Sequence, residues 1–372
     1  MLLPTLKFDT SSGLRNNRKK MTKIGEVPHI MHFGIIRDVN CGNWQGARGS
    51  VTYPNISNLL DKIALEHFPD FKYTKMQINK NVNCKMHFDV SNVGNTCIFT
   101  LGKFEKGELQ VEEEKIDVYK QPYIFDGSKI LHGTCDWIGE RYCVVYYNEK
   151  KRPPSYLLEA FVRLNPKVRS DYLTINEIFR KDIYKMHEYV KSGETWLDIG
   201  SNIGAFADKC VELGAHVICY EPYSQNVVRL NNLSNSSNEH KRLMSVKSCA
   251  VSDHHGVGNL YLSKDNNWRH TLIPILRRKI EVVTIFDSDD LPPCDGMKID
   301  VEGSELDIIY RLKTFPIKLI FEYDGGHHPK LEDYNKIITF LESKYKFVMY
   351  QKLEEDIHFF PNGLIVFCEE LL

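Results

Sequence analysis

The chain has no C-x-x-C pair, no apolar run long enough to cross a bilayer, no excess of either charge and no internal repeat. Each absence excludes something. The ten cysteines (41, 84, 97, 135, 143, 210, 219, 249, 294 and 368) are scattered, which argues against short-spaced zinc and redox motifs. Several of them, Cys143, Cys219 and Cys368, lie in apolar strand-like runs, as reduced buried thiols do. That usage points to a reducing, intracellular compartment, cytoplasmic or nuclear. No membrane-spanning helix is expected, because such a helix needs about 20 consecutive apolar residues. The opening MLLPTLKFDTSS lacks the basic start and apolar length of a secretory signal, so the expectation is a soluble protein with no membrane partner. Lys+Arg 48 against Asp+Glu 49 gives a net charge of −1. A basic patch can hide in a neutral total, so this balance neither selects nor excludes nucleic acid. Nothing in the sequence implies an obligate protein partner.

What is present is length and a change of rhythm. The 372 residues are comfortable for two domains. Residues 15–23, RNNRKKMTK, read as a solvated arm or an arm that contacts phosphate. From Met31 to Tyr147 short alternating segments such as YTKMQINKN, CIFTLGKF, GELQVEE, QPYIFDG and RYCVVYYNE are broken by Gly and Asn. They predict many strands, with one helix near residues 56–67. NEKKRPPSY, residues 148–156, reads as a linker. Beyond it TWLDIG, HVICYEP, MKIDVEG and LIFEYDG alternate with helix-length segments, the pattern of a parallel α/β sheet. The expectation is an all-β domain over residues 1–150 and an α/β domain over residues 151–372.

The clearest motif is ETWLDIGSNIGAFADKCVELGAHVICYEP, residues 194–222. An apolar strand ends at Asp198, a turn holds Gly200, Ser201, Asn202 and Gly204, a helix follows, and a second strand ends in Glu221. Glycines at a strand-to-helix turn allow close backbone approach, and an acid about 20 residues on suits ribose hydroxyls. An acid aimed at the loop repels phosphate but suits a cationic, phosphate-free nucleoside, S-adenosyl-L-methionine. The segment resembles motif I of class I methyltransferases. KSCAVSDHHGVGNLYLS, VVTIFD, GMKIDVEGSELDIIYRL and LIFEYDGGHH resemble the FkbM family, over about residues 171–369.

That resemblance implies a Rossmann-like fold in which Asp198, Gly200, Ser201, Asn202, Gly204 and Glu221 hold the cofactor and Asp253 lies near the adenine. It places Lys298, Asp300, Glu302 and Glu322 at the carboxyl edge of the sheet, where α/β folds bind ligands. FkbM enzymes typically methylate a hydroxyl oxygen, a poor nucleophile that needs a base or a positioned carboxylate. Asp300 and Glu302 are the candidates, and Lys298 is the alternative if desolvated. His327 and His328 in GGHHP are substrate contacts or loop residues.

The first half holds a second constellation. NCKMHFDVSNVGN places His87 and Asp89 on one face of an extended segment. His132 follows the strand QPYIFDG, and Arg141 comes nine residues later. Two histidines and a carboxylate form the facial triad of non-haem Fe(II) oxygenases. An arginine fork suits the far carboxylate of 2-oxoglutarate. Residues 79–147 resemble the TET/JBP-like branch of the 2-oxoglutarate/Fe(II) dioxygenases. The resemblance implies a double-stranded β-helix with His87, Asp89 and His132 as metal ligands and Arg141 on the co-substrate. Asn92 and Asn95 shape that pocket or cap loops. His29, His32 and His67 have no spacing partner and read as structural or exposed.

The two halves together suggest hydroxylation followed by O-methylation of one substrate, a nucleobase in nucleic acid or a small metabolite or sugar. The alternative is a methyltransferase whose β-helix is an inactive substrate-binding module.

Overall fold

The computed structural model describes residue 7 and residues 29–37, 42–264, 269–324, 331–352 and 362–372. The basic arm at 15–23 and the GGHHP segment with His327 and His328 lie outside the described residues. The chain divides into two compact units, Met1–Pro154 with Lys167–Arg169, and Ser155–Pro166 with Ser170–Leu372.

The first unit is β-rich. Its strands are β1 (His29–Arg37), β2 (Trp44–Gly46), β3 (Lys75–Lys80), β4 (Thr96–Lys106), β5 (Leu109–Val111), β6 (Glu114–Ile116), β7 (Tyr123–Phe125), β8 (His132–Thr134) and β9 (Trp137–Tyr147). They form a six-stranded sheet in the order β2-β1-β3-β9-β4-β7 and a three-stranded sheet in the order β6-β5-β8, with antiparallel pairing throughout. Period-two alternation divides the larger sheet between two cores. Cys97, Phe99, Tyr142, Val144 and Tyr146 pack with Ile56, Leu60 and Ala64, which lie four residues apart on one stripe of the helix Pro54–His67. Pro54 starts that helix, where its missing N–H costs nothing. The Tyr146 hydroxyl donates to the Leu60 carbonyl at 2.8 Å. The intervening residues Ile98 and Cys143 point the other way and share a second core with Leu109, Val111, Val118 and Phe125. This second core joins the two sheets.

The second unit is α/β. Five parallel strands are β10 (Thr195–Ile199), β11 (His216–Tyr220), β12 (Met244–Lys247), β16 (Gly296–Ile299) and β17 (Lys318–Asp324). Two antiparallel strands, β18 (Tyr345–Lys352) and β19 (Asn362–Leu371), complete the order β12-β11-β10-β16-β17-β19-β18. The expectation of a parallel sheet therefore needs amending at one edge: β18 and β19 pair antiparallel, and β19 enters beside β17. A smaller sheet, ordered β13-β15-β14, comprises β13 (Ala250–Ser252), β14 (Gly256–Leu262) and β15 (Lys279–Asp287). The chain leaves β10 toward β11 on one side, while β16 pairs on the other. Such a switch point opens a crevice at the carboxyl ends of the strands. No helix among the described residues is long and apolar enough to cross a membrane.

Candidate functional site

The crevice in the second unit is built from the turn after β10. Gly200 has φ +82°, and a Cβ there would collide with the backbone carbonyl of Asp300. Glycine is required because the loop lies against the end of β16. Gly204 (φ +88°) is needed for packing, since a Cβ would come within 2.8 Å of Leu230 and 2.9 Å of Leu233. Neither lines the crevice by virtue of a side chain, but Gly200 contributes its backbone, together with Asn202, Glu221, Val251, Leu260, His270, Leu272, Asp300 and Glu302. Ser201 is buried beneath the turn, its hydroxyl donating to the Asp198 carbonyl at 2.7 Å.

Glu221 is the hinge of this end. One carboxylate oxygen accepts the Asn202 N–H and the other the Tyr223 N–H, each at 2.8 Å. Burial pushes its carboxyl up to about 7, against the pull of those two backbone donors. Each oxygen retains a lone pair for a further donor.

Lys298 sits under the opposite rim. Its Nζ donates to the Gly200 carbonyl at 2.8 Å and lies 3.2 Å from Asp198 and 3.3 Å from Asp300. Burial would lower the Lys298 ammonium, but the two carboxylates outweigh it and keep the side chain protonated. Lys298, the alternative base if desolvated, is buried and also paired with two carboxylates. Asp198 lies beside it. Its side chain is 0% exposed and is absent from the crevice wall, so it acts on the site through Lys298. Asp253 lies where the chain turns out after β13, its carboxylate is paired with the exposed His254 at 2.7 Å, and it is not on the crevice wall.

Of the acidic residues read at the carboxyl edge, Asp300 and Glu302 line the crevice. Asp300 keeps 31% of its side chain exposed, so it reaches the crevice while accepting from the Tyr184 hydroxyl at 3.2 Å. Glu302 has φ +56°, and its carbonyl accepts from the Thr271 hydroxyl at 2.6 Å. Burial, with repulsion from Asp300 and Glu302, holds the Glu322 carboxyl well above the usual carboxylate range. Two contributors were missed in the sequence, His270 and Tyr184. Neither has a spacing partner that could have flagged it.

In the first unit, His87, Asp89 and His132 come together so that one donor atom from each lies within 4.8 Å of the others, an arrangement able to hold a metal ion. Backbone pairing builds it. His87 and His132 exchange N–H···O bonds at 2.8 and 3.1 Å, and the Asp89 N–H donates to the Gly127 carbonyl at 2.8 Å. Each imidazole Nδ1 contacts a carbonyl, Lys85 at 2.7 Å and Ile130 at 2.9 Å. A carbonyl can only accept, so Nδ1 carries the proton and Nε2 presents a lone pair. The two Nε2 atoms lie 3.5 and 3.6 Å from separate Asp89 oxygens. Burial would raise the Asp89 carboxyl, but His132 and His87 outweigh it and hold it well below its ordinary value. Asn92 donates to Asp89 at 3.3 Å. Arg141 is 2% exposed; its Nε donates to the Gly107 carbonyl at 3.1 Å, and its Nη2 is buried without a hydrogen-bond partner among the described residues.

A sequence profile described as the methyltransferase FkbM domain matches residues 198–349. No curated protein matches the chain. Among solved structures, the methyltransferase FkbM of Methylobacillus flagellatus KT is 17% identical with a TM-score of 0.33, covering 56% of this chain and 58% of that one. This chain therefore spans little more than half that protein's length. The precorrin-6y C5,15-methyltransferase of Geobacter metallireducens GS-15 is 14% identical with a TM-score of 0.27, over 52% of this chain and 84% of that one. The magnesium protoporphyrin IX methyltransferase of Synechocystis PCC 6803 is 10% identical with a TM-score of 0.37, over 58% of this chain and 92% of that one. The residues that line the crevice thus fall within the stretch, 198–349, that matches the methyltransferase FkbM domain.

Proposed function

We propose that the chain is an S-adenosyl-L-methionine-dependent O-methyltransferase joined to an Fe(II)/2-oxoglutarate hydroxylase, and that it hydroxylates and then methylates one substrate. The observation that carries the combined reading is the convergence of the His87, Asp89 and His132 donor atoms in a chain that also holds an FkbM domain.

The crevice suits a cationic nucleoside without phosphate. Glu221 offers acceptors to ribose hydroxyls, while Val251, Leu260 and Leu272 supply an apolar slot for a base. Asp300 and Glu302 at the other end repel phosphate and favour a positive centre. S-adenosylmethionine, when bound, supplies an electrophilic methyl group on a sulfonium. The chain's own residues position the acceptor alcohol and take its proton. Asp300 and Glu302 are the candidates for that role, and Lys298 remains a cation that orients Asp300.

In the first unit the donor set is two neutral imidazoles and a carboxylate, the set that suits non-haem Fe(II). Two sheets sharing one core fit a double-stranded β-helix. Bound Fe(II) with 2-oxoglutarate supplies the oxidising power to hydroxylate an unactivated carbon. His87, Asp89 and His132 would hold the metal. Arg141, with a buried unsatisfied N–H, would take the far carboxylate of 2-oxoglutarate. The substrate is a small metabolite or sugar, or a nucleobase.

The test is reconstitution with Fe(II) under anaerobic conditions, followed by oxygen and 2-oxoglutarate. Succinate should form, and His87→Ala should abolish it while methyl transfer to an already hydroxylated acceptor persists. Protein that binds no iron and makes no succinate, with methyl transfer undiminished, would instead make the first unit a substrate-binding module.

A further inference from the structure

The crevice contains a buried hydrogen-bond donor without an acceptor among the described residues. His270 lies between β14 and β15, and its Nδ1 accepts the Ser263 N–H at 3.0 Å. An acceptor Nδ1 carries no proton, so in the neutral ring the proton is on Nε2. That Nε2 is buried without a hydrogen-bond partner among the described residues. The neutral form is secured, because burial and nearby Arg278 push the imidazole down to about 4.

The ring is also held in place. Thr271 bridges to Tyr261 through two backbone bonds of 2.8 and 3.3 Å, and its hydroxyl ties to the Glu302 carbonyl at 2.6 Å. Tyr223 meets the His270 ring edge-on at 4.5 Å between centroids. A buried unsatisfied donor is costly, so a ligand that supplies an acceptor there recovers that loss.

Position decides which part of the ligand this is. His270 lines the same crevice as Glu221, Leu260 and Leu272 and touches Tyr223, two residues past Glu221. Its neighbours are therefore the ribose acceptor Glu221 and the apolar slot. We infer that the Nε2–H of His270 donates to a ring nitrogen of the adenine of bound S-adenosylmethionine, making His270 a positioning residue that selects the base. This rests on the methyltransferase reading of the crevice.

Calorimetry on the full chain tests it, using S-adenosylhomocysteine and deaza analogues in which each acceptor nitrogen of the adenine in turn becomes C–H. The wild type should bind the parent nucleoside and lose about tenfold in affinity for one deaza analogue. His270→Phe should weaken the parent by a similar factor and bind that analogue no worse than the parent. His270→Gln, which keeps an N–H donor, should recover part of the loss. If His270→Phe does not fold, the wild-type deaza profile compared with that of His270→Gln carries the test. Equal wild-type affinity for all the deaza analogues would overturn the inference, as would a His270→Phe effect confined to the KM of the methyl acceptor. In either case, if Glu221→Gln still weakens the nucleoside, the methyltransferase reading of the crevice stands. No binding by the wild type would overturn both.

Discussion

Glu221 shows how one side chain combines structure and pH response. Its carboxyl is raised to about 7 from an ordinary value of 4.5, so the folded protein holds a proton that the unfolded chain has lost between those values. Stability contributed by this group is fully present below about 4.5 and falls as pH rises toward 7. Cofactor binding should run the opposite way, because an ionised carboxylate accepts from ribose hydroxyls and attracts a sulfonium. The Kd for S-adenosylmethionine should tighten between pH 6 and pH 8, measured by calorimetry, and the slope should disappear in Glu221→Gln. At this scale the sequence was partly legible. The acid at the end of β11 could be read from its spacing after the glycine turn. The pairing of Asp198 with Lys298, 100 residues apart in the chain, could not, because it depends on β10 and β16 lying side by side. For the same reason Lys298 reads as a possible base in the sequence and is a structural cation in the fold.

Among the elements, the turn after β10 and the helix on the N-terminal sheet are the most exposed to test. Gly200 and Gly193 both have positive φ, +82° and +85°. Only Gly200 has backbone in the way, since a Cβ at Gly193 would meet nothing within 4 Å. Gly193→Ala should cost about 1 kcal/mol of strain, and Gly200→Ala on the order of 3–5 kcal/mol, as strain and collision add. Chemical denaturation of both variants checks the difference. In the first unit Leu60 is 3% exposed against the sheet, so Leu60→Ala should cost about 2–5 kcal/mol by the same assay. Strand alternation made the elements of this unit readable, because each buried face has its own set of apolar residues. What alternation could not show was partnership. His87 and Asp89 fit an ordinary polar face until β8 brings His132 into register with His87.

For the molecule as a whole, the compact units divide at Pro154 and Ser155, with Lys167–Arg169 grouped with the first. The likeness of residues 198–349 to the FkbM domain could be read from contiguous motifs, because the glycine turn, Glu221 and KIDVEG each carry their meaning locally. The edge pair β18 and β19 could not, as reversed strand direction leaves no mark in a hydrophobic pattern. The same holds for His270, whose place in the crevice depends on Ser263, Thr271 and Glu302 together. A chain with a candidate oxygenase site and a methyltransferase crevice should leave a double mark on its substrate. The direct measurement is mass spectrometry of small molecules and nucleic acid incubated with iron-loaded enzyme, 2-oxoglutarate, isotopically labelled oxygen and methyl-labelled S-adenosylmethionine. The expected result is one product that gains both a labelled oxygen and a labelled methyl group, with both lost in His87→Ala. A product that gains only the methyl group, in equal yield from wild type and His87→Ala, would contradict it.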